Sequence, residues 1–340
     1  MRTICRIGAM ALLLSAAAGA HAKDRDAKTL VVTASNASTN RLLVYDSSDK
    51  LIQTVATGGQ GGVSGNSGGI AVWGNRLAVV NFGSQSVSIF ELKHDGFRLK
   101  QVIPSASKPV SVAFGNDHLY ILGTTKVESH QVFDFGVGTG SDGIAGLVVA
   151  DGSSAQVGVV EDQLIITEKS NAIETVNLNS DGAVRGVATL VQGIPQNVNA
   201  PFGLVTRGND AYVTIAHADE VSLVRNSNVL TTTGSGTQHA PCWLALDGPF
   251  LFSSNSPSMS ISRFAVYGQK IVQDAAIAAT LNGAPTDIAY RRGLAAVIDG
   301  SGAISHLSIF HVDEDGNLIL KGVTTISGAA NGVAIVRTED

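Results

Sequence analysis

Cysteine is nearly absent from this chain. There are two in 340 residues, Cys5 and Cys242, and Cys5 falls in a segment that reads as a leader. A mature protein with Cys242 alone can form no intrachain disulfide, so its stability must come from core burial. Charge is also sparse, at 15% of residues with a net charge of −5. No basic stripe is present, which argues against a nucleic-acid partner and gives no reason to expect attraction to anionic membranes. Long apolar runs are missing too. The one candidate, Ile7 to Ala20, is shorter than the ~20 residues that span a bilayer. It follows Met1-Arg2-Thr3-Ile4-Cys5-Arg6 and leads into Ala20-His21-Ala22 and then polar Lys23-Asp24-Arg25-Asp26. Positive start, short apolar middle and small-residue exit describe a secretory signal peptide over residues 1–22. The expected mature protein is a single domain over 23–340, periplasmic or secreted, with no membrane contact after cleavage. No helical periodicity is convincing after residue 23.

What the chain does have is glycine, 38 of 340 residues, and a repeat. Six stretches align without gaps on the residue before an apolar strand: Gly69, Ser111, Gln156, Gly203, Trp243 and Asp287. A second apolar strand ends twelve residues later in each, at Asn81, Gly123, Glu168, Ile215, Asn255 and Asp299. A seventh copy starts at Gly332, but the sequence ends at Asp340 before its second strand. The missing strands stand at the other end, in Leu30-Val31-Val32-Thr33 and Arg41-Leu42-Leu43-Val44-Tyr45. Steps of 40 to 47 residues between copies suit propeller blades. The pattern predicts an all-β, seven-bladed β-propeller, closed by a C-terminal strand that joins the N-terminal blade.

Tight-turn pairs fall between the first and second strands, as in Gly74-Asn75, Asn116-Asp117 and Gly208-Asn209. Apolar runs such as Leu77-Ala78-Val79-Val80 suit strands packed between blades. Alternating ones such as Val221-Ser222-Leu223-Val224 suit outer strands with a wet side. Two glycine-rich stretches break the rhythm. Thr57 to Gly69 reads as a flexible inter-blade crossover, since a phosphate cradle would need a helix start that is not predicted. Phe135 to Gly152 reads as an elaborated blade edge.

In an antiparallel hairpin the first and twelfth-on template residues share one open end. Around a ring these pairs are expected to converge on one mouth of the central channel. The collected residues are Asn81, Ser111, Gln156, Glu168, Trp243, Asn255, Asp287 and Asp299, with His239 and His217 in loops on the same rim. Three carboxylates on one face, Glu168, Asp287 and Asp299, would raise one pKa and create a general base. His239 is the best candidate for a base on the rim, histidine being the side-chain type suited to proton transfer near neutral pH. With Asn81 and Asn255, the carboxylates could also hold Ca²⁺, which takes six to eight oxygens; no other cofactor is expected. Each has a plainer alternative: carboxylates bonded to backbone amides, solvated histidines, Trp243 as a packing cap. Cys242 reads as buried and inert.

The segments Thr57-Gly58-Gly59, Lys108-Pro109-Val110-Ser111-Val112-Ala113, Leu164-Ile165-Ile166-Thr167-Glu168-Lys169, Ala200-Pro201-Phe202-Gly203, His239-Ala240-Pro241-Cys242-Trp243 and Ala329-Ala330-Asn331-Gly332 carry a resemblance. From about Leu30 to Arg337 the chain resembles secreted bacterial relatives of the seven-bladed lactonase family, which includes 6-phosphogluconolactonase and carboxymuconate cyclases. The resemblance implies lactone hydrolysis or the reverse cycloisomerisation of a small oxygenated metabolite. Glu168, His239 and Asp287 would be the catalytic groups, and Gln156, Asn81, Asn255, Trp243, Ser111, His217 and Asp299 would contact substrate. The family's enzymes carry histidine at the first template position and glutamate one residue past the second. No blade here has that histidine, and Glu168 lies one place early. The alternative is a non-catalytic, exported propeller that binds a protein, glycan or small ligand. A monomer with a small-molecule ligand is expected.

Overall fold

The computed structural model describes residues 28–194 and 200–337, so the leader expected over residues 1–22 lies outside the described residues. Seven antiparallel sheets are arranged as a ring. The innermost strands, taken around it, are Asn331–Arg337 in blade 1, Ile70–Trp73, Pro109–Gly115, Ser154–Val160, Pro201–Arg207, Pro241–Asp247 and Ala284–Arg291 in blade 7. Each touches the next, and the seventh returns to the first. Blade 1 is the predicted composite. The C-terminal strand pairs antiparallel with Thr29–Ala34, from Thr29 opposite Arg337 to Ala34 opposite Asn331, and Thr33 Oγ1 donates to Gly332 O at 2.6 Å. The ring is thus closed by a sheet ladder, which leaves no inner edge. Among the described residues, no helix is long and apolar enough to cross a membrane.

Second and third strands are nearly solid core because both faces press on neighbouring blades. Leu77–Val80, Leu119–Leu122 and Ala295–Ile298 are all buried. The outermost strands alternate, as in Asn228–Gly234 and Leu51–Ala56. The stretch Val221 to Val224 is one place further in than its sequence suggests. It belongs to the third strand, Glu220–Arg225, where Ser222 is fully buried and bonds Thr232 Oγ1. Phe135 to Gly152 is an elaborated edge: two short strands, Gly136–Val137 and Gly143–Gly146, both pair with Lys126–Phe133 on the outside of blade 3.

A β-bulge recurs at the open end of the inner strand. In blade 3 Pro109 pairs with Gly123 while Ser111 pairs with Leu122, so Val110 is the extra residue. The same slip occurs at Ser154/Gln156, Pro201/Leu204, Pro241/Trp243 and Pro285/Asp287. An inserted residue bends the strand and re-aims the side chains beyond it. Because the first template residue pairs with the eleventh-on residue, it shares a face with that residue. The twelfth-on residue therefore points to the opposite face of the blade.

Candidate functional site

The bulge divides the collected residues into two sets. Asn81, Glu168, Asn255 and Asp299 are completely buried and turn away from the channel. Asn81 accepts from Asn40 Nδ2 at 3.0 Å and Thr57 Oγ1 at 2.8 Å in the preceding blade, and donates to Ser88 Oγ at 2.7 Å. Asn255 donates to Ser260 and Ser262. Asp299 accepts from His306 Nδ1 at 2.7 Å. Glu168 Oε2 accepts from Ser153 Oγ at 3.0 Å, while Oε1 has no partner among the described residues. Burial pushes the Glu168 pKa up to about 8, with nearby Glu174 and Asp151 adding to the rise against the Ser153 bond. These four residues do not converge on the mouth: in blades 4, 6 and 7 the bulge turns Glu168, Asn255 and Asp299 away, and in blade 2, whose inner ladder has no bulge, Asn81 is held by Asn40 and Thr57 of blade 1.

Ser111, Gln156 and Asp287 do face the channel, and they stitch one blade to the next. Ser111 Oγ accepts from Val157 N at 3.3 Å, Gln156 Oε1 from Leu204 N at 2.6 Å, and Asp287 Oδ2 from Val333 N at 3.1 Å. In every case the donor follows the first template position of the next blade. Blade 2 has glycine at its first position, and there Gly68 O takes the equivalent amide, Val112 N, at 2.9 Å. Gly203 leaves room for the neighbouring blade. A Cβ on it would lie 2.2 Å from Cys242 O. Cys242 itself is buried, with its thiol pKa raised by burial to about 12.

The glycine-rich stretch is the largest correction. It is not a flexible crossover but an ordered plug over the strand-start end of the channel. Asn66 is 1% exposed and Ser67 4%. Asn66 and Asn331 exchange reciprocal side-chain amide bonds at 2.9 and 3.2 Å, and Asn66 Nδ2 also donates to Val110 O. Ser67 N donates to Ala155 O at 3.1 Å. The Lys169 ammonium, its pKa lowered by burial, holds Gly65 O at 2.7 Å. The Trp243 indole N–H donates to Asn66 O at 3.0 Å, and its ring meets Phe202 edge-on at 5.2 Å. Gly68 has φ +63°, and a Cβ there would meet Ser111 Oγ at 2.9 Å, so glycine is required. Trp243 is therefore the seat of a stopper.

Beneath the plug lies a cavity of about 430 Å³. Ser67, Gly68, Gln156 and Asp287 form its floor; Val72, Leu246, Tyr290 and Arg291 lie toward the turn end, where the inner strands become partly exposed. The channel is closed where the sequence suggests a mouth and open at the other face. Burial raises the Asp287 pKa to about 7, opposed by N–H groups of Ile288, Val333 and Gly68. His239 is on the outer rim, 68% exposed, with Nδ1 2.8 Å from Asp219 Oδ2. His217 is exposed in the short 3₁₀ turn Ala216–Ala218. Glu168, Asp287 and Asp299 do not form one ligand set. Among the described residues no three His, Cys, Asp or Glu side chains are grouped to hold a metal.

The seven sheets and the closed ring match known structures along nearly their full length. A protein from Lactobacillus plantarum superposes with a TM-score of 0.68 at 15% identity, covering 91% of this chain and 99% of that one. A putative 6-phosphogluconolactonase from Bacteroides fragilis NCTC 9343 gives 0.65 at 12% identity, with 92% and 99% covered. One from Bacteroides uniformis ATCC 8492, also described as putative, gives 0.66 at 14% identity, with 92% and 100% covered. The fold is the propeller fold of these structures. No protein-family model matches the chain, and no curated protein does. Identities this low speak for the fold alone. Within that fold, the blades were legible from the repeat. The stopper was missed, although Asn66-Ser67 set between glycines was its signal.

Proposed function

We propose that this chain is an exported propeller of the lactonase-like fold that binds a small ligand and carries out no lactone hydrolysis at its strand-start mouth. The plug carries this reading. A lactone at that mouth would have to displace Asn66, Ser67 and Gly68, which bond to blades 1, 3 and 4 and to Trp243. The residues that would supply chemistry are occupied: Asp287 by backbone amides, Gln156 by Leu204, Asp299 by His306. A general base must reach the proton it removes, and Glu168 is sealed between blades.

Lactone hydrolysis is the competing reading. It is favoured by the names of the two Bacteroides structures and by the raised pKa of Glu168. The test is turnover of a panel of sugar and aliphatic lactones by the purified mature protein, with and without EDTA, beside Glu168→Gln. The expected result is no turnover above background in any arm. Turnover by the wild type overturns the reading, and its loss in Glu168→Gln would place the chemistry at that carboxyl.

A further inference from the structure

Away from the channel, the outside of blade 3 carries an ionisable pair that holds a short strand in place. The outermost strand of this blade, Gly143–Gly146, has four residues, where the other blades have six to eleven. Asp142, the residue before it, bonds on three sides. Its N–H donates to Ser129 O at 3.0 Å. Its Oδ1 accepts from Ser129 Oγ at 2.6 Å, and that hydroxyl oxygen accepts from Val184 N of blade 4 at 2.9 Å. Its Oδ2 lies 2.9 Å from Nε2 of His118, which is only 2% exposed at the start of the second strand. The other ring nitrogen, Nδ1, lies 2.8 Å from Asn116 O.

A carbonyl oxygen can only accept, so Nδ1 carries a proton. A neutral imidazole has one N–H, and Nε2 would then turn a lone pair toward the carboxylate. The second bond therefore exists only with one further proton between Nε2 and Oδ2. The surroundings are acidic. Tyr120 stacks on the His118 ring with centroids 6.0 Å apart, and burial raises its phenol pKa, with Asp142, Asp117 and Asp181 adding to the rise. Blade 4 closes the other side: Tyr120 OH donates to Gly182 O at 2.8 Å, and a Cβ on Gly182 would lie 2.5 Å from His118 Nδ1.

We propose that His118 and Asp142 form a pH-sensitive clasp, which keeps the short outer strand of blade 3 docked while they share that proton and loosens it when the proton is lost. The proton is held at low pH, so the clasp is closed there and weakens as pH rises. Loosening uncovers the edge of the third strand, from Lys126 opposite Gly146 to Ser129 opposite Gly143, as a row of unpaired backbone groups. The device is independent of what the channel binds.

The test is amide hydrogen exchange of the mature protein from about pH 5 to about pH 9, which spans the histidine range, expressed as protection factors so that intrinsic exchange is divided out. The Asp142 and Leu147 amides donate to Ser129 O and Thr125 O at the two ends of the short strand and report the clasp. Their protection is expected to fall by about tenfold or more as pH rises, the worth of one charge-assisted hydrogen bond. In Asp142→Asn the new amide can donate to Nε2 of a neutral ring while its oxygen still accepts from Ser129, so protection is expected to hold at high pH. His118→Phe should be weakly protected at every pH. Nitrogen-15 shifts of the His118 ring, read in the wild type, should show both nitrogens protonated at the acid end; this readout stands even if the phenylalanine variant fails to fold. A flat wild-type profile, an Asp142→Asn profile that falls as the wild type does, or a ring with one proton at the acid end each overturns the inference.

Discussion

The two ends of the channel are built from the same seven strands and differ completely. At the strand-start end, bulges interrupt most of the inner ladders, and first-position side chains of three blades catch an amide of the next blade. A thirteen-residue glycine-rich segment, Thr57 to Gly69, then folds over the opening and bonds to four blades. At the turn end the hairpins stay paired up to their turns, and Val72, Val205, Leu246 and Tyr290 are left partly exposed. Polar residues at the first end hold structure together, whereas aliphatic walls at the second leave space. Polarity gathered at a propeller mouth is therefore no measure of chemistry there.

Truncation should expose the contrast most strongly. Trp243→Ala removes the seat of the stopper together with its indole bond to Asn66, and is expected to cost about 3–5 kcal/mol in urea denaturation. Leu246→Ala, three residues along the same strand toward the open end, should cost about 1–2 kcal/mol, since its side chain is already partly in solvent. Equal losses would erase the distinction between a packed end and an open one. Asn66→Ala leaves the Asn331 amide and Val110 O without their partner in a buried site, and about 2–3 kcal/mol is expected.

The pH dependence sharpens the same point. Burial raises the Glu168 pKa to about 8 and that of Asp287 to about 7, both above their unfolded values of roughly 4. Between those limits the folded chain binds more protons than the unfolded one, so stability falls as pH rises. The contribution is fully present below the unfolded pKa and is lost as pH climbs through about 7 to 8. Wild-type Tm should decline from about pH 5 to about pH 8, and Glu168→Gln, uncharged throughout, should decline less. A Tm that rises over this range would contradict the burial of both groups. The smallest effect belongs to His239→Ala on the exposed rim, where loss of the Asp219 contact should cost under about 1 kcal/mol.

The repeat made the blades readable because an ungapped twelve-residue template needs only hydrophobic runs and turn pairs. It placed the closing strand at Gly332, inside the observed Asn331–Arg337, and located all seven inner strands. Facing was lost because one extra residue reverses which side a strand position shows, and the template counted residues without pairing them. The signal was present: Pro109, Pro201, Pro241 and Pro285 each stand two residues before a first position, and proline without an N–H suits a strand start beside a bulge. The plug was harder to read. Its bonds run from Asn66 to Asn331 and from Trp243 to Asn66, separations of 265 and 177 residues that no local pattern encodes.

Amide hydrogen exchange at Ser67 and Val112 tests the closed mouth most directly, because their N–H groups bond to Ala155 O and Gly68 O across the plug. Protection comparable to the blade interior, such as Ala78 or Ile121, is the predicted result. Exchange as fast as in the exposed turns would mean that the segment is a loose crossover, and that the mouth is open to substrate after all.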